Sequence, residues 1–188
     1  PNVADLEFAK IKAAACVWDA SKLTKRVVAV LGGTGKVGST LVESLRAAGH
    51  FVVVGSSKEK GNVPPSPRPA SANALSVEEA VKPADVVVLA TPAAAVPDVL
   101  ARLDTGLRGK MVVDCTNRVA PGFTFPAGMP PSPLVGLMSQ ADKAPRSVFK
   151  CFNTMGVEEL RRPLTDKGER KAMLLCGPAG EDKEWLTA

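Results

Sequence analysis

The chain of 188 residues contains no tyrosine, two tryptophans and six phenylalanines, so it is poor in aromatic side chains. Its hydrophobic fraction of 45% is therefore built largely from small aliphatic residues. Side chains of this kind are expected in the compact core of an α/β domain. The lysines and arginines, which give a net charge of +5, are scattered rather than clustered beside aromatic residues. We therefore expect no nucleic-acid partner.

The spacing of the four cysteines argues against a site built from paired thiols, because no two of them form a CxxC pair. They are Cys16, Cys115, Cys151 and Cys176. The spacing therefore predicts neither a metal site nor a thiol redox pair. Three of the thiols lie in apolar runs, where we expect them to be small buried hydrophobic groups. A reducing compartment is the simpler assumption, either the cytoplasm or an organelle matrix or stroma.

Hydrophobic runs long enough to span a membrane are also missing. The uncharged apolar run Val86–Pro97 falls short of the roughly 20 residues that a membrane-spanning helix needs. We therefore expect a soluble protein. The chain begins with Pro1 rather than with methionine, so we expect that an upstream segment has been removed.

Beyond residue 24 the chain alternates short apolar runs with helical patterns. The apolar runs show little alternation of polar and apolar residues, which is typical of strands buried on both faces. The predicted strands are Arg26–Leu31, Phe51–Gly55, Asp85–Ala90, Lys110–Cys115, Ser147–Phe152 and Lys171–Cys176. The predicted helices are Val37–Ala48, Ser76–Lys82, Ala94–Leu103, Ser132–Ala144, Thr154–Leu160 and Gly180–Leu186. This order predicts an α/β fold with a doubly wound parallel sheet of about six strands.

A glycine motif, G-x-G-x-x-G, follows the first predicted strand and opens the first helix. Its glycines are Gly33, Gly35 and Gly38. The first would permit a tight turn, the second a close approach of the backbone to a pyrophosphate, and the third close packing of helix on strand. The helix N-terminus would attract the diphosphate. We predict a dinucleotide-binding Rossmann domain, with a purely structural turn as the alternative.

The end of the second strand indicates which dinucleotide is preferred. Proteins that bind NAD commonly place an acidic residue there to accept the ribose 2′-OH. Here Gly55 is followed by Ser56 and Ser57, and then by Lys58, Glu59 and Lys60. We expect Glu59 to point to solvent between the two lysines. Hydroxyl and ammonium groups suit a 2′-phosphate. The sequence therefore predicts NADP(H) as the cofactor.

Domain organisation follows from the same change of pattern. Residues 1–24 carry a loose helical pattern and are predicted to form an N-terminal arm or helix, and residues 25–188 the NADP(H)-binding Rossmann domain. Two proline-rich segments, Gly61–Ala74 and Val119–Pro133, follow predicted strands. We interpret them either as lids or as long loops stiffened by proline.

Polar residues end the third, fourth and fifth predicted strands. Thr91 and Pro92 end the third, Asn117 the fourth and Asn153 the fifth. In a doubly wound sheet the ligand crevice opens at these carboxyl ends. An asparagine amide could hold a carboxamide through paired donor and acceptor groups. The alternative role is helix N-capping, which we favour for Thr154 and leave open for the two asparagines.

Several stretches together resemble the NADP oxidoreductases that use a deazaflavin coenzyme. They are LGGTGKVGSTL, AGHFVVVGSSKE, TPAAAVPDVLARL, GKMVVDCTN and VFKCFNTMGVEEL. The resemblance runs from Arg26 to Glu184, and related ferric reductase and pyrroline-5-carboxylate reductase domains share the scaffold. The Phe-Asn-Thr at the end of the fifth strand is its most discriminating part.

The resemblance implies positions for a bound cofactor. Together with Gly33, Lys36 and Gly38 of the glycine loop, the residues implied for NADP are Thr34, Gly35, Val37, Ser56, Ser57 and Lys58. Those implied for the nicotinamide are Thr91, Pro92, Asn117, Asn153 and Thr154.

Two functions remain open from the sequence. Hydride transfer between stacked rings needs positioning rather than a protein nucleophile, so we expect no catalytic residue beyond these positioning groups. The single histidine, His50, is expected to be structural. We favour an NADPH-dependent oxidoreductase acting on a flat acceptor such as a deazaflavin or flavin. The alternative is a non-catalytic NADP(H)-binding subunit held in an assembly by its arm and loops. In either case we expect a homo-oligomer or a subunit of a larger complex.

Overall fold

The computed structural model describes residues 24–56, 74–117, 134–162, 165, 167–169 and 171–187. They belong to two compact units. The larger unit is Lys25–Pro178, and the smaller one contains Thr24 and the described residues from Ala179 onward. Residues 1–23 of the predicted arm lie outside the described residues. Among the described residues, no helix combines the length and apolar character needed to cross a bilayer.

A five-stranded parallel sheet forms the centre of the larger unit. Its strands are β1 (Val27–Leu31), β2 (Phe51–Gly55), β3 (Val86–Leu89), β4 (Met111–Asp114) and β5 (Ser147–Lys150). Their order across the sheet is β2-β1-β3-β4-β5, and every neighbouring pair is parallel. Every residue of β3 and β4 is buried, as their unbroken apolar runs predicted. The predicted α/β fold with a parallel sheet is confirmed.

Helices connect the strands and cover both faces of the sheet. They are α1 (Lys36–Ala47), α2 (Val77–Val81), α3 (Val96–Leu103, preceded by a 3-10 turn at Ala93–Ala95), α4 (Val135–Met138) and α5 (Val157–Arg161). On one face, Val42 of α1 lies beside Val54 of β2. On the other, Ala80 of α2 lies beside Gly55, the next residue of β2. Successive strand residues point to opposite faces, so the sheet is doubly wound as predicted.

The sixth predicted strand, Lys171–Cys176, makes a single antiparallel bridge between Cys176 and Lys150. The chain is held close to β5 just beyond it, because a Cβ on Gly177 would lie 2.2 Å from the ring of Phe149. The run itself alternates between half-buried and exposed positions. Cys176 is consequently exposed, whereas Cys115 and Cys151 are buried as expected.

The smaller unit contains the helix α6 (Glu181–Thr187). Its Trp185 donates from Nε1 to the carbonyl oxygen of Thr24, at 2.8 Å.

Candidate functional site

The motif predicted that Gly33 permits the tight turn after β1. In the structure the turn depends on Gly32 instead. Gly32 has a φ of +81°, which strongly favours glycine. Its N–H donates to the carbonyl oxygen of Gly55 at 2.9 Å. A Cβ there would lie 2.7 Å from the carbonyl oxygen of Ala90. The turn is thus wedged between the exits of β2 and β3, and only the doubled glycine in the sequence pointed to it.

Two of the motif glycines, Gly33 and Gly38, lie in close contact with neighbouring elements, and for Gly38 this is the packing role that the motif predicted. A Cβ on Gly38 would lie 2.3 Å from the carbonyl oxygen of Gly32, and one on Gly33 would lie 2.8 Å from Cγ1 of Val54. Gly38 therefore lets the start of α1 pack closely on the turn after β1, and Gly33 lets that turn pack against β2. Gly35 differs, because it is exposed and, among the residues that the structure describes, its Cβ would meet only the Gly32 oxygen, at 3.2 Å.

The N-terminus of α1 follows directly and has no side-chain cap. Its N-cap is Gly35, and the first turn holds no acidic residue. The first amide bonded back to the cap is that of Ser39, which donates to the Gly35 carbonyl at 2.9 Å. The N–H groups of Lys36, Val37 and Gly38 precede it and lack partners within the helix. Together with the exposed Lys36 ammonium, they favour an anion at this position.

The exit of β2 is only partly described. Ser56 is buried, and its N–H donates to the carbonyl oxygen of Leu75 at 2.9 Å. That contact returns the chain to the end of β2 after the proline-rich segment. Ser57 and Lys58, the other residues predicted to hold a 2′-phosphate, lie outside the described residues.

The exit of β3 holds an unsatisfied hydroxyl. Oγ1 of Thr91 is buried and has no hydrogen-bond partner among the described residues. The methyl group of the same side chain lies 3.1 Å from the position a Cβ on Gly32 would occupy. Pro92 is exposed and begins the 3-10 turn. Burying a hydroxyl without a partner is costly, so this atom is well suited to a polar ligand group.

The two predicted asparagines contact one another across the exits of β4 and β5. Nδ2 of Asn117 donates to the backbone oxygen of Asn153 at 3.0 Å, and Nδ2 of Asn153 lies 3.4 Å from Oδ1 of Asn117. Neither caps a described helix. The expectation for Thr154 was wrong, because α5 begins later and its N-cap is Gly156. Thr154 is exposed, with Oγ1 4.0 Å from the sulfur of Met173.

Sequence reasoning missed a charged cluster beneath the asparagines. Asp114 ends β4 and is fully buried, and its Oδ2 lies 3.1 Å from Nζ of Lys150, which ends β5. Oδ1 of Asp114 accepts from both the N–H and the hydroxyl of Thr116, at 2.8 and 2.7 Å. The available signal was a charged residue at the end of each of two apolar runs. Within the described residues, no group of Cys, His, Asp and Glu could hold a metal.

His50 lies at the opposite edge of the sheet, where β2 begins. It is buried, and its Nδ1 accepts from the N–H of Arg26 at 3.3 Å. Burial, reinforced by the charges of Arg26 and Lys25, lowers the pKa of this imidazole below its ordinary value. This placement fits the structural role predicted for it.

Comparison with known proteins supports the resemblance seen in the sequence. Residues 27–118 match the model of a family described as NADP oxidoreductase, coenzyme F420-dependent. The matched segment contains the glycine loop, the β3 exit and Asn117. F420 is a deazaflavin, so the resemblance to the deazaflavin-dependent family is confirmed for this segment.

Solved structures share the fold over most of the chain. A candidate F420-dependent NADP-reductase from Arthrobacter sp. FB24 has a TM-score of 0.68 at 24% identity, with 86% of this chain and 78% of that chain covered. A hypothetical protein from Sinorhizobium meliloti has a TM-score of 0.65 at 23% identity, with 87% and 78% covered. Pyrroline carboxylate reductase from Plasmodium falciparum, solved with NADP bound, has a TM-score of 0.54 at 14% identity, with 86% and 52% covered.

Proposed function

We propose that the chain binds NADP(H) at the carboxyl edge of its sheet, the edge where the parallel strands end. The glycine loop carries this proposal, since its exposed Gly35 and the uncapped N-terminus of α1 offer backbone N–H groups to a diphosphate. The family matched by residues 27–118 is one of NADP oxidoreductases. Ser56, Ser57 and Lys58 would then hold the 2′-phosphate.

The nicotinamide half would extend across the exits of β3, β4 and β5. There the hydroxyl of Thr91, which has no partner among the described residues, and the amides of Asn117 and Asn153 are available for a carboxamide. Each asparagine amide spends one N–H on the other residue and keeps the second N–H free of that pair. Pro92 would line the same crevice.

The reaction that this arrangement supports is hydride transfer between NADPH and a flat acceptor, such as a deazaflavin or a flavin. The bound dinucleotide would supply the hydride chemistry. The residues of this chain would bind it, orient its ring and exclude water. The alternative is a non-catalytic NADP(H)-binding subunit, in which the same pocket holds the cofactor and no acceptor reaches it. In solution we expect a homo-oligomer or a component of a larger complex.

Fluorescence titration with NADPH and NADH tests the binding proposal. We expect tighter binding of NADPH, because Ser56, Ser57 and Lys58, and no acidic residue, follow Gly55 directly. Gly35→Val should abolish binding while the fold persists, since its side chain would occupy the open side of the loop. Gly136→Val is the control, because a Cβ at Gly136 meets nothing within 4 Å. Equal affinities for the two cofactors, or unchanged binding by Gly35→Val, would contradict the proposal.

Turnover separates the enzyme from the binding subunit. NADPH oxidation is followed by absorbance with a panel of deazaflavin, flavin and quinone acceptors. An oxidoreductase should consume NADPH with at least one flat acceptor, and Asn153→Ala should lower kcat measured at saturating NADPH. Tight NADPH binding without turnover on the whole panel would favour the accessory role.

A further inference from the structure

A lysine and an aspartate face each other at the ends of the two strands that carry the asparagine pair. Asp114 and Lys150 are register partners on β4 and β5. The aspartate side chain is fully buried and that of the lysine is 21% exposed. Burying two charges costs free energy that a simple ion pair often fails to recover. Because the pair lies at the carboxyl edge of the sheet, its other contacts bear on the proposed cofactor site.

The contacts of the pair converge on Thr116. Asp114 accepts from the backbone N–H and the hydroxyl of Thr116. Lys150 donates from Nζ to the backbone carbonyl oxygen of the same residue. The backbone N–H, the backbone carbonyl and the side chain of Thr116 are thus all held by one buried, charge-assisted network. The next residue in the chain is Asn117.

The backbone adopts an unusual conformation two residues after β5 ends at Lys150. Phe152 has a φ of +62°, a left-handed value that a bulky side chain rarely adopts. Such backbone strain persists only where the surrounding structure over-determines it. Asn153 follows directly and accepts from the side chain of Asn117. The segments that follow β4 and β5 are therefore held together at two places, by the contacts of Thr116 and by those between the two asparagines.

We propose that Lys150 is a positioning residue for the nicotinamide. Its ammonium, neutralised by Asp114, clamps Thr116 and thereby sets Asn117 against Asn153 in the arrangement that receives the carboxamide. This inference rests on the proposed binding of NADP(H). It assigns Lys150 no contact with the cofactor itself.

An ion pair that only stabilises the fold would respond to substitution differently from a clamp, meaning a pair that holds Thr116 in place for the nicotinamide. A structural pair would stabilise the fold, and replacing both charges together would restore what a single replacement costs. A clamp acts on the nicotinamide half alone, because the glycine loop and β2 lie at the other end of the proposed cofactor site. The weaker NADPH binding caused by removing Lys150 would also persist when Asp114 is neutralised, since the bond to the Thr116 carbonyl is still missing.

The experiment compares Lys150→Met with the double variant Asp114→Asn/Lys150→Met. The double variant leaves no uncompensated buried carboxylate, so it carries the test if the single variant fails to fold. Lys110→Met is the matched control, because Lys110 also donates from Nζ to backbone, at 2.7 Å to the carbonyl oxygen of Ala84, but near the amino ends of the strands. Two ligands are titrated: NADPH, and adenosine 2′,5′-bisphosphate, which lacks the nicotinamide.

We expect both Lys150 variants to weaken NADPH binding about tenfold, as for the loss of one well-placed hydrogen bond. Their affinity for adenosine 2′,5′-bisphosphate should stay within about twofold, and Lys110→Met should change neither. Combining Lys150→Met with Asn153→Ala should weaken NADPH little more than Asn153→Ala alone, because both remove the same arrangement.

The outcomes separate this inference from the proposed function. If the unaltered protein binds neither ligand, the NADP(H) proposal itself fails. If it binds both, the positioning role is overturned by equal weakening of the two ligands, by recovery of NADPH affinity in the double variant, or by additive effects of Lys150→Met and Asn153→Ala.

Discussion

At the scale of single residues, two positions at the carboxyl edge have a left-handed backbone conformation, one without strain and one with it. Gly32 occupies its position without strain, because it has no side chain. Phe152 occupies a similar one at a cost. The first lets the glycine loop turn, and the second directs Asn153 toward Asn117. The backbone freedom of glycine accounts for the absence of strain at Gly32, whereas the conformation of Phe152 depends on its neighbours.

His50 makes a pH prediction at this scale. The folded protein binds the imidazole proton less readily than the unfolded chain, because burial and then Arg26 and Lys25 lower the pKa of His50 from its usual 6.5. This penalty is absent well above pH 6.5 and grows as the pH falls below it. Stability to urea should therefore decrease from about pH 7 to about pH 5, before most carboxylates titrate.

A variant isolates this contribution. His50→Gln removes the only imidazole in the chain, so its stability should vary less over the same pH range. The proton signal of the single histidine can be followed by NMR to obtain the folded-state pKa directly. A folded pKa above 6.5, or identical pH slopes for the two proteins, would refute the assignment.

At the scale of elements, the short helix α2 carries the crossover from β2 to β3. Five residues are too few for a stable isolated helix. Two features hold it: the buried side chains of Val77, Ala80 and Val81, and a capping box between Ser76 and Glu79. In that box the Ser76 hydroxyl accepts from the Glu79 N–H at 3.2 Å, and the Glu79 carboxylate accepts from the Ser76 N–H at 3.1 Å.

The capping box yields a prediction for the element. Ser76→Ala should lower the free energy of unfolding by about 1 kcal/mol, the usual cost of losing an N-cap side chain. Urea denaturation measures this directly. Ser44→Ala, at an exposed interior position of α1, is the control and should be neutral or slightly stabilising. Equal effects of the two substitutions would mean that the box contributes nothing.

At the scale of the whole molecule, cofactor binding should appear as added stability. A ligand at about 100 times its Kd stabilises the folded state by about 2.7 kcal/mol. For a chain of this size that corresponds to a rise in Tm of about 5–10 °C. We expect this rise with NADPH and a smaller one with NADH at the same concentration. Differential scanning fluorimetry measures both, and Gly35→Val should show neither rise. A Tm that NADPH leaves unchanged would contradict the proposed site.

The sequence by itself determined the strands β1 to β5 and the glycine loop. Runs such as Val86–Leu89 contain no charge and can be buried only as core elements. The spacing of Gly33, Gly35 and Gly38 is read within one turn and one helix, so it needs no knowledge of distant residues. The same local reasoning overextended the run before Gly177, which forms one bridge instead of a strand.

Tertiary structure alone decided the strand order and the contacts between strand exits. The pairing of Asn117 with Asn153 joins residues 36 positions apart, and that of Asp114 with Lys150 depends on β4 lying beside β5. The close approach of the Ala90 carbonyl, just after β3, adds to the positive φ in requiring glycine at position 32. A one-dimensional pattern shows which residues are buried, but it does not show which buried residues become neighbours. The contacts between residues at the carboxyl edge therefore follow from the fold.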